Sequence, residues 1–294
     1  MDLFFSSLPQ VVVNGLTRGS IYALVALGFT VIHNTTGIIN FAQGEFVMLG
    51  GMVSVSLLAL GLPLPLAVVG AVLVVALVGA LMERSIIAPV KSGGAVNLII
   101  ITIGASISFK GLANLVWGKD DRILPAFSGE QAIDFAGVMV VPQNLWVWAV
   151  TLVAVVALQQ FYARTVTGKA LRACAHDPVT ASLMGIGVKK MVLITFAFSG
   201  ALGALAGVVI TPLIFTNYEI GTLLGLKGFV AAIFGGIDSI TGAVVGGLAI
   251  GVLESLFGTH ISSGYMDAFA FIVLLLMLFL RPQGLLGRRS TERA

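Results

Sequence analysis

The sequence predicts an all-α, polytopic membrane protein with about seven or eight transmembrane helices plus one re-entrant or broken helix. Three observations predict it. Of 294 residues, 58% are apolar and 10% charged, where a soluble domain carries about 25% charged residues. Mean hydropathy is +1.06, so too little polar surface remains to face water and lipid is the main solvent. Apolar runs near the ~20 residues needed to cross ~30 Å of hydrocarbon recur along the chain. Glycine supplies 36 residues. In lipid that abundance marks helices packed backbone to backbone, because small residues allow close approach.

The runs are 11–32, 38–60, 62–82, 98–117, 145–162 and 191–215. A pair follows, 223–236 and 239–257, and then 264–280. The first of the pair is short for a full span. It reads as a re-entrant half-helix or a broken crossing, tolerated only where protein or a water-filled path surrounds it. The opening MDLFFSSLPQ carries an acid and no base, the wrong sign for a signal n-region, so the first run is expected to stay in the mature protein. The expectation is a single membrane domain over 1–294, with loops at 118–143 and 163–190 and a tail at 281–294.

Orientation follows from the loop bases. Arg84, Lys91, Arg164, Lys169, Arg172, Lys189, Lys190, Arg281, Arg288, Arg289 and Arg293 share one side, whereas Lys119 and Arg122 occupy loops on the other. The positive-inside bias then places the N-terminus outside, and 163–190 and the C-terminal tail in the cytoplasm. In the outer loop, Ile133, Phe135, Val138 and Val140 alternate around Ala136–Gly137, a small hairpin signal. Such a flap serves either as a contact for an external partner or as a lid over helix ends.

The 163–190 loop contains TVTGKALRACAHDPVTASLMGIGVKK. Thr167 is expected to cap a short helix over 168–175. Asp177 and Pro178 open a second over 178–184, the carboxylate accepting orphan N–H groups and proline suiting the first helical position. Gly185 and Gly187 are expected to stop it. This second helix exposes Val179, Leu183 and Met184, with Ala181 and Gly185 leaving room for close approach. It is either a handle for another protein or an interfacial helix among headgroups.

Between the first two runs lie His33, Asn34, Thr35, Thr36 and Gly37, then Asn40 and Gln43 in capping-box spacing. Glu45 follows in the first turn, where the helix dipole favours an anion. These residues either end one helix and start the next near the inner leaflet, or also line the path's cytoplasmic exit. Gly235, Gly236, Asp238 and Thr241 make a similar stop and start. Arg18, Lys110, Lys227, Glu254 and Asp267 fall in outer halves of apolar runs, where ionisable groups are costly. Arg18 shares a stripe with Asn14 and Tyr22. Arg18 or Lys227 is expected to pair with Glu254 as an extracytoplasmic gate, with the weight on Arg18. The other reading is that these side chains snorkel to the interface. The pairs Gly15/Gly19, Gly203/Gly207, Gly242/Gly246 and Gly247/Gly251 are helix-packing signals.

Several chemistries find no support. Cys174 is the single cysteine, which excludes an internal disulfide, and no His/Cys cluster has metal-ligand spacing. No catalytic constellation appears, and nothing points to nucleic acid. A phosphate-binding loop requires G-x-x-x-x-G-K-[ST], yet Gly118–Lys119 and Gly168–Lys169 are followed by Asp and Ala. The chain is therefore expected neither to hydrolyse ATP nor to hold a cofactor.

The run GKALRACAHDPVTASLMGI resembles the ATPase-coupling loop of ABC importer permeases, in the form of the branched-chain amino acid importer family. GIINFAQGEFVMLGG (37–51), GLKGFVAAIFGGIDSITGAVVGGLAIGVLE (225–254) and LRPQGLLG (280–287) resemble the same family, nearly end to end and in order. The resemblance implies an ABC importer permease fold in a bacterial inner membrane, with this chain similar to the smaller of two permeases. It implies a second permease in a heterodimer, two cytoplasmic ATPases that bind the ATP, and an extracytoplasmic solute-binding protein. It places Arg172, Asp177, Pro178, Ala181, Leu183 and Gly185 at the ATPase contact. Arg18, Asn40, Gln43, Glu45, Asp238 and Glu254 are the candidates for path or gate. Similar permeases carry urea, amides or aromatic acids, so the solute stays open. The alternative is an independent secondary transporter or channel. It calls for a charge near the midplane, whereas Glu45 is expected toward the inner leaflet.

Overall fold

A computed structural model describes residues 2–90, 94–135 and 137–287. Lys91, Ala136, Arg288, Arg289 and Arg293 lie outside them. Among the described residues the chain forms eleven helices and one hairpin. In order these are α1 (Asp2–Thr36), α2 (Gln43–Ala59), α3 (Leu64–Met82), α4 (Ala95–Trp117), β1 (Ile133–Phe135), β2 (Val138–Val140), α5 (Pro142–Arg164), α6 (Val166–His176), α7 (Pro178–Leu183), α8 (Val188–Ile210), α9 (Ile220–Gly235), α10 (Ile240–His260) and α11 (Met266–Leu280). A π-helical turn, Glu83–Ile87, extends α3.

Six helices are long and apolar enough to span a bilayer, and α2, α9 and α11 are shorter apolar ones. The expected hairpin forms, with Ile133 opposite Val140 and Phe135 opposite Val138. Gly137 turns it at φ +83°, a conformation open to residues without a Cβ.

Helix α1 is the most enclosed span. Its partner is α10, and glycine sets their separation. A Cβ on Gly251 would lie 2.3 Å from Gly19 Cα, and one on Gly19 would lie 2.7 Å from Leu248 Cα. Helix α8 approaches α2 in the same way, where a Cβ on Gly207 would meet Val47 O at 2.0 Å. Dispersion between backbones therefore holds the centre, as small-xxx-small spacing predicts. Helices α3, α4 and α5 form the rim and turn Leu66, Leu73, Leu77, Ile100, Ile107 and Leu152 outward.

The ambiguous pair is resolved as a shortened crossing followed by a full one. The segment before α9 is tied to the hairpin end, where Thr216 and Arg122 exchange backbone hydrogen bonds of 2.8 Å. The turn after α9 lies at the opposite end: Leu285 N donates to Phe234 O and Leu286 N to Gly235 O, each at 2.9 Å. Helix α9 thus does not return to the face it left. At ~1.5 Å per residue its 16 residues rise about 24 Å, short of the hydrocarbon thickness.

Candidate functional site

Three polar regions interrupt the apolar bundle. At one end, α6 and α7 form a bracket outside it. Helix α6 is capped by Thr165, whose Oγ1 accepts from Gly168 N at 2.9 Å, and not by Thr167. The difference has a packing cause. Gly168 sits against the end of α5, where a Cβ would meet Phe161 O at 2.2 Å, and this contact starts α6 two residues earlier. Leu171 and Cys174 are buried beneath α6, and Arg172 is exposed. Helix α7 is capped as expected: Asp177 Oδ1 accepts from Val179 N at 2.9 Å and Thr180 N at 3.2 Å, with Pro178 in the first turn. The Thr180 hydroxyl, then the backbone amides, holds the Asp177 carboxyl below its ordinary pKa. Gly185 ends the helix at φ +83°. Gly187 instead precedes α8 with φ −73°. Ala181 is buried, while Val179, Leu183 and Met184 are 69%, 83% and 79% exposed. One apolar row is anchored and the other is bare.

Behind the bracket lies a cleft of about 1180 Å³. Arg172, His176 and Pro178 line one wall, His33, Thr36 and Asp238 the other. His33 Nε2 stands 3.2 Å from Asp238 Oδ1. The two polar turns that looked alike in sequence, after α1 and before α10, therefore meet at the bracket's back.

The second region lies deeper. Residues 37–42 are not helical. They climb along α4, where Phe41 N donates to Thr102 Oγ1 at 3.2 Å. Helix α2 consequently begins well inside the bundle. Gln43 Nε2 donates to Ser199 O at 3.2 Å, and the Ser199 hydroxyl bonds Gln43 Oε1. Glu45 Oε1 accepts from Ser106 Oγ at 3.0 Å and from Thr222 Oγ1 at 3.4 Å. Ser199 and Ser106 stand at the middle of two 23-residue helices, α8 and α4, so this knot is at mid-depth.

Two expectations are thereby corrected. Glu45 is not toward one leaflet but near the midplane. No capping box forms: α2 has no side-chain cap, and Gln43 reaches across to α8 instead of back to Asn40. Asn40 Oδ1 accepts from Ala42 N at 3.1 Å. Unpaired backbone at this depth is tolerated because protein encloses it: Asn40, Gln43 and Glu45 are each no more than 1% exposed. Gly28 makes room for the knot, since a Cβ there would sit 1.9 Å from Gln43 Nε2. Sequence reasoning missed Gly28, Ser106, Ser199 and Thr222, because single small residues in apolar runs carry no local signal.

The third region is an ion cluster between α1, α9, α10 and α11. Lys227 bonds Glu254, lies 2.5 Å from Asp267 Oδ1, and donates to Tyr22 Oη at 3.2 Å. Lys227 and Glu254 are 4% and 0% exposed. Arg18, favoured as the partner of Glu254, is exposed and reaches Met266 Sδ at 2.9 Å. The structure pairs Glu254 with Lys227. Lys110 stands 3.7 Å from Glu219.

A family model described as branched-chain amino acid transport system, permease component, matches residues 11–279. The chain belongs to that family. The permease is 36% identical to the high-affinity branched-chain amino acid transport system permease protein LivH of Escherichia coli, with 97% of each chain covered. It is 35% identical to BraD of Pseudomonas aeruginosa, described in the same terms, again over 97% of each. Identity to the ribose import permease RbsC of Haemophilus influenzae is 27%, covering 91% of this permease and 84% of that one. Among solved structures, PsaBC from Streptococcus pneumoniae in complex with Fab matches with a TM-score of 0.56 over 96% of each chain at 16% identity. That likeness concerns the fold, which is the expected ABC importer permease fold: all-α, multi-pass and membrane-spanning.

Proposed function

We propose that the permease forms half of the translocation path of an ATP-driven ABC importer for branched-chain amino acids or similar small solutes. Its partners on this reading are a second, different permease, two ATPases that bind the nucleotide, and an external solute-binding protein. The bracket end faces the cytoplasm and the hairpin end faces outward, as the loop bases suggest. The observation that carries the reading is α7, six residues long and held clear of the bundle. Its Val179, Leu183 and Met184 are bare, and Asp177 fixes its start. A short, rigid, apolar helix anchored through α6 suits a groove on a moving ATPase. The cleft behind it gives the bracket room to rock toward His33 and Asp238. Arg172, Asp177, Pro178, Ala181, Leu183 and Gly185 make the contact on this reading. Asn40, Gln43, Glu45 and Asp238 lie along the path.

The test removes both start signals. Asp177→Ala with Pro178→Gly, which removes the cap and the preset φ, is expected to lower ATP hydrolysis stimulated by the binding protein in reconstituted vesicles. Membrane insertion should be unchanged. Undiminished stimulation in a well-inserted variant would remove the bracket from the coupling path. The relatives matched over most of their length include both amino-acid and ribose permeases, so the solute is tested separately, by uptake of radiolabelled leucine.

A further inference from the structure

We propose that Glu45 binds the α-ammonium group of the transported amino acid halfway across the membrane. The inference rests on the amino-acid reading above and adds a substrate site within the permease.

Glu45 is 1% exposed, yet only one carboxylate oxygen is satisfied. Oε1 accepts from Ser106 and Thr222. Oε2 is buried and has no hydrogen-bond partner among the described residues. Leaving a buried carboxyl oxygen without a partner is destabilising, and apolar side chains fill neighbouring positions of α2 without that penalty. The surroundings are built around the unpaired oxygen. A Cβ on Gly221 would lie 2.7 Å from Oε2 and equally close to Gly44 O. A Cβ on Gly44 would meet Gly221 O at 2.0 Å. The two glycines bring the first turns of α2 and α9 into contact, with the Gly221 backbone beside Oε2.

The donor set selects the ligand. Ser106 and Thr222 hold Oε1 in place, so Oε2 keeps a fixed direction for an incoming donor. A carboxylate acceptor at low dielectric favours a cationic donor over a neutral one. A primary ammonium fits, being compact and carrying several N–H donors. Glu45 is closed over by α4 through Ser106 and by α9 through Thr222 and Gly221, so parting α9 from α2 at the Gly44–Gly221 contact uncovers Oε2 while Ser106 still holds Oε1. Binding energy for this group would then help draw the solute from the external protein to mid-depth.

The experiment is equilibrium dialysis of tritiated leucine against the purified four-subunit complex without its binding protein. Binding is expected, with leucinamide competing and N-acetylleucine, which has no ammonium, failing to compete. Glu45→Gln should weaken binding about tenfold or more, as loss of a charge-assisted bond implies, while Glu45→Asp keeps part of it. No binding by the wild-type complex, equal competition by N-acetylleucine, or unchanged affinity in Glu45→Gln each overturns the proposal. The analogue comparison needs no variant, so misfolding of Glu45→Gln does not shelter it. Leucine uptake with the binding protein present separates the two readings. If uptake is absent, the amino-acid function fails and the proposal falls with it. If uptake occurs without ammonium-selective binding, only the Glu45 site fails.

Discussion

Lys227 carries a charge that the bundle has enclosed on every side but one. Its ammonium meets Glu254 and Asp267, and stands 5.5 Å from the centre of the Tyr22 ring. Burying such a group is tolerated because Glu254 is buried with it and the half-exposed Asp267 adds a second counter-charge. Removing one partner strands the other. Lys227→Met alone is therefore expected to destabilise the permease by about 3–5 kcal/mol, read as a fall in melting temperature in detergent. Lys227→Met with Glu254→Met should recover much of that loss, since the double change leaves no fully buried charge unpaired and the remaining Asp267 is half exposed. Arg18→Ala should act additively with Glu254→Ala, because the two side chains do not meet. A strong Arg18–Glu254 coupling energy would contradict the observed pairing. The depth and the sign of these charges were legible in the sequence. The partner was not, because Arg18 and Lys227 lie at similar depth and only the packing of α9 against α10 chooses between them.

Among the elements, α7 shows how much of a helix is local chemistry. Asp177, Pro178 and Gly185 fixed its start and end without help from the rest of the chain, and the expected boundaries hold to one residue. Because the Thr180 hydroxyl and backbone amides depress the Asp177 pKa, the charged cap's contribution is complete above the ordinary value of about 3.9. It is lost only as pH falls through the lower folded value. The cap is thus constant across neutral pH. Asparagine caps about as well as aspartate, so Asp177→Asn should keep stimulated ATP hydrolysis near wild type while Asp177→Ala lowers it. A large loss in Asp177→Asn would mean that the charge itself touches the ATPase. The central helices are governed instead by what they touch. Gly251→Ala forces a methyl against Gly19 Cα and is expected to cost about 1–3 kcal/mol by overpacking. A Cβ on Gly104 of α4 meets no atom within 4 Å. Gly104→Ala should be neutral or stabilise slightly, by up to about 1 kcal/mol from helix propensity. Melting temperatures of the two variants, measured side by side, check the contrast.

For the whole molecule, the orientation is open to a direct test. After Cys174→Ser, Glu130→Cys in the segment just before β1 should react with an impermeant thiol reagent outside intact spheroplasts, and Leu183→Cys on α7 should not. Both positions are exposed, so the difference reads sidedness and not burial. The opposite pattern would turn the permease over and take the bracket away from the cytoplasm. Composition, run lengths and cap residues determined by themselves that this is a multi-pass helical membrane protein with a two-helix bracket at its basic end. Those features depend on solvent and on neighbours within a few residues. Tertiary structure alone decided that α2 starts at mid-depth, that Gln43 bonds α8, that Glu45 faces Ser106 and Thr222, and that Lys227 holds Glu254. Each joins residues from different helices, and in lipid the choice among such contacts rests on backbone approach at glycines and on the pairing of scarce polar groups. Hydropathy along the chain does not encode either one.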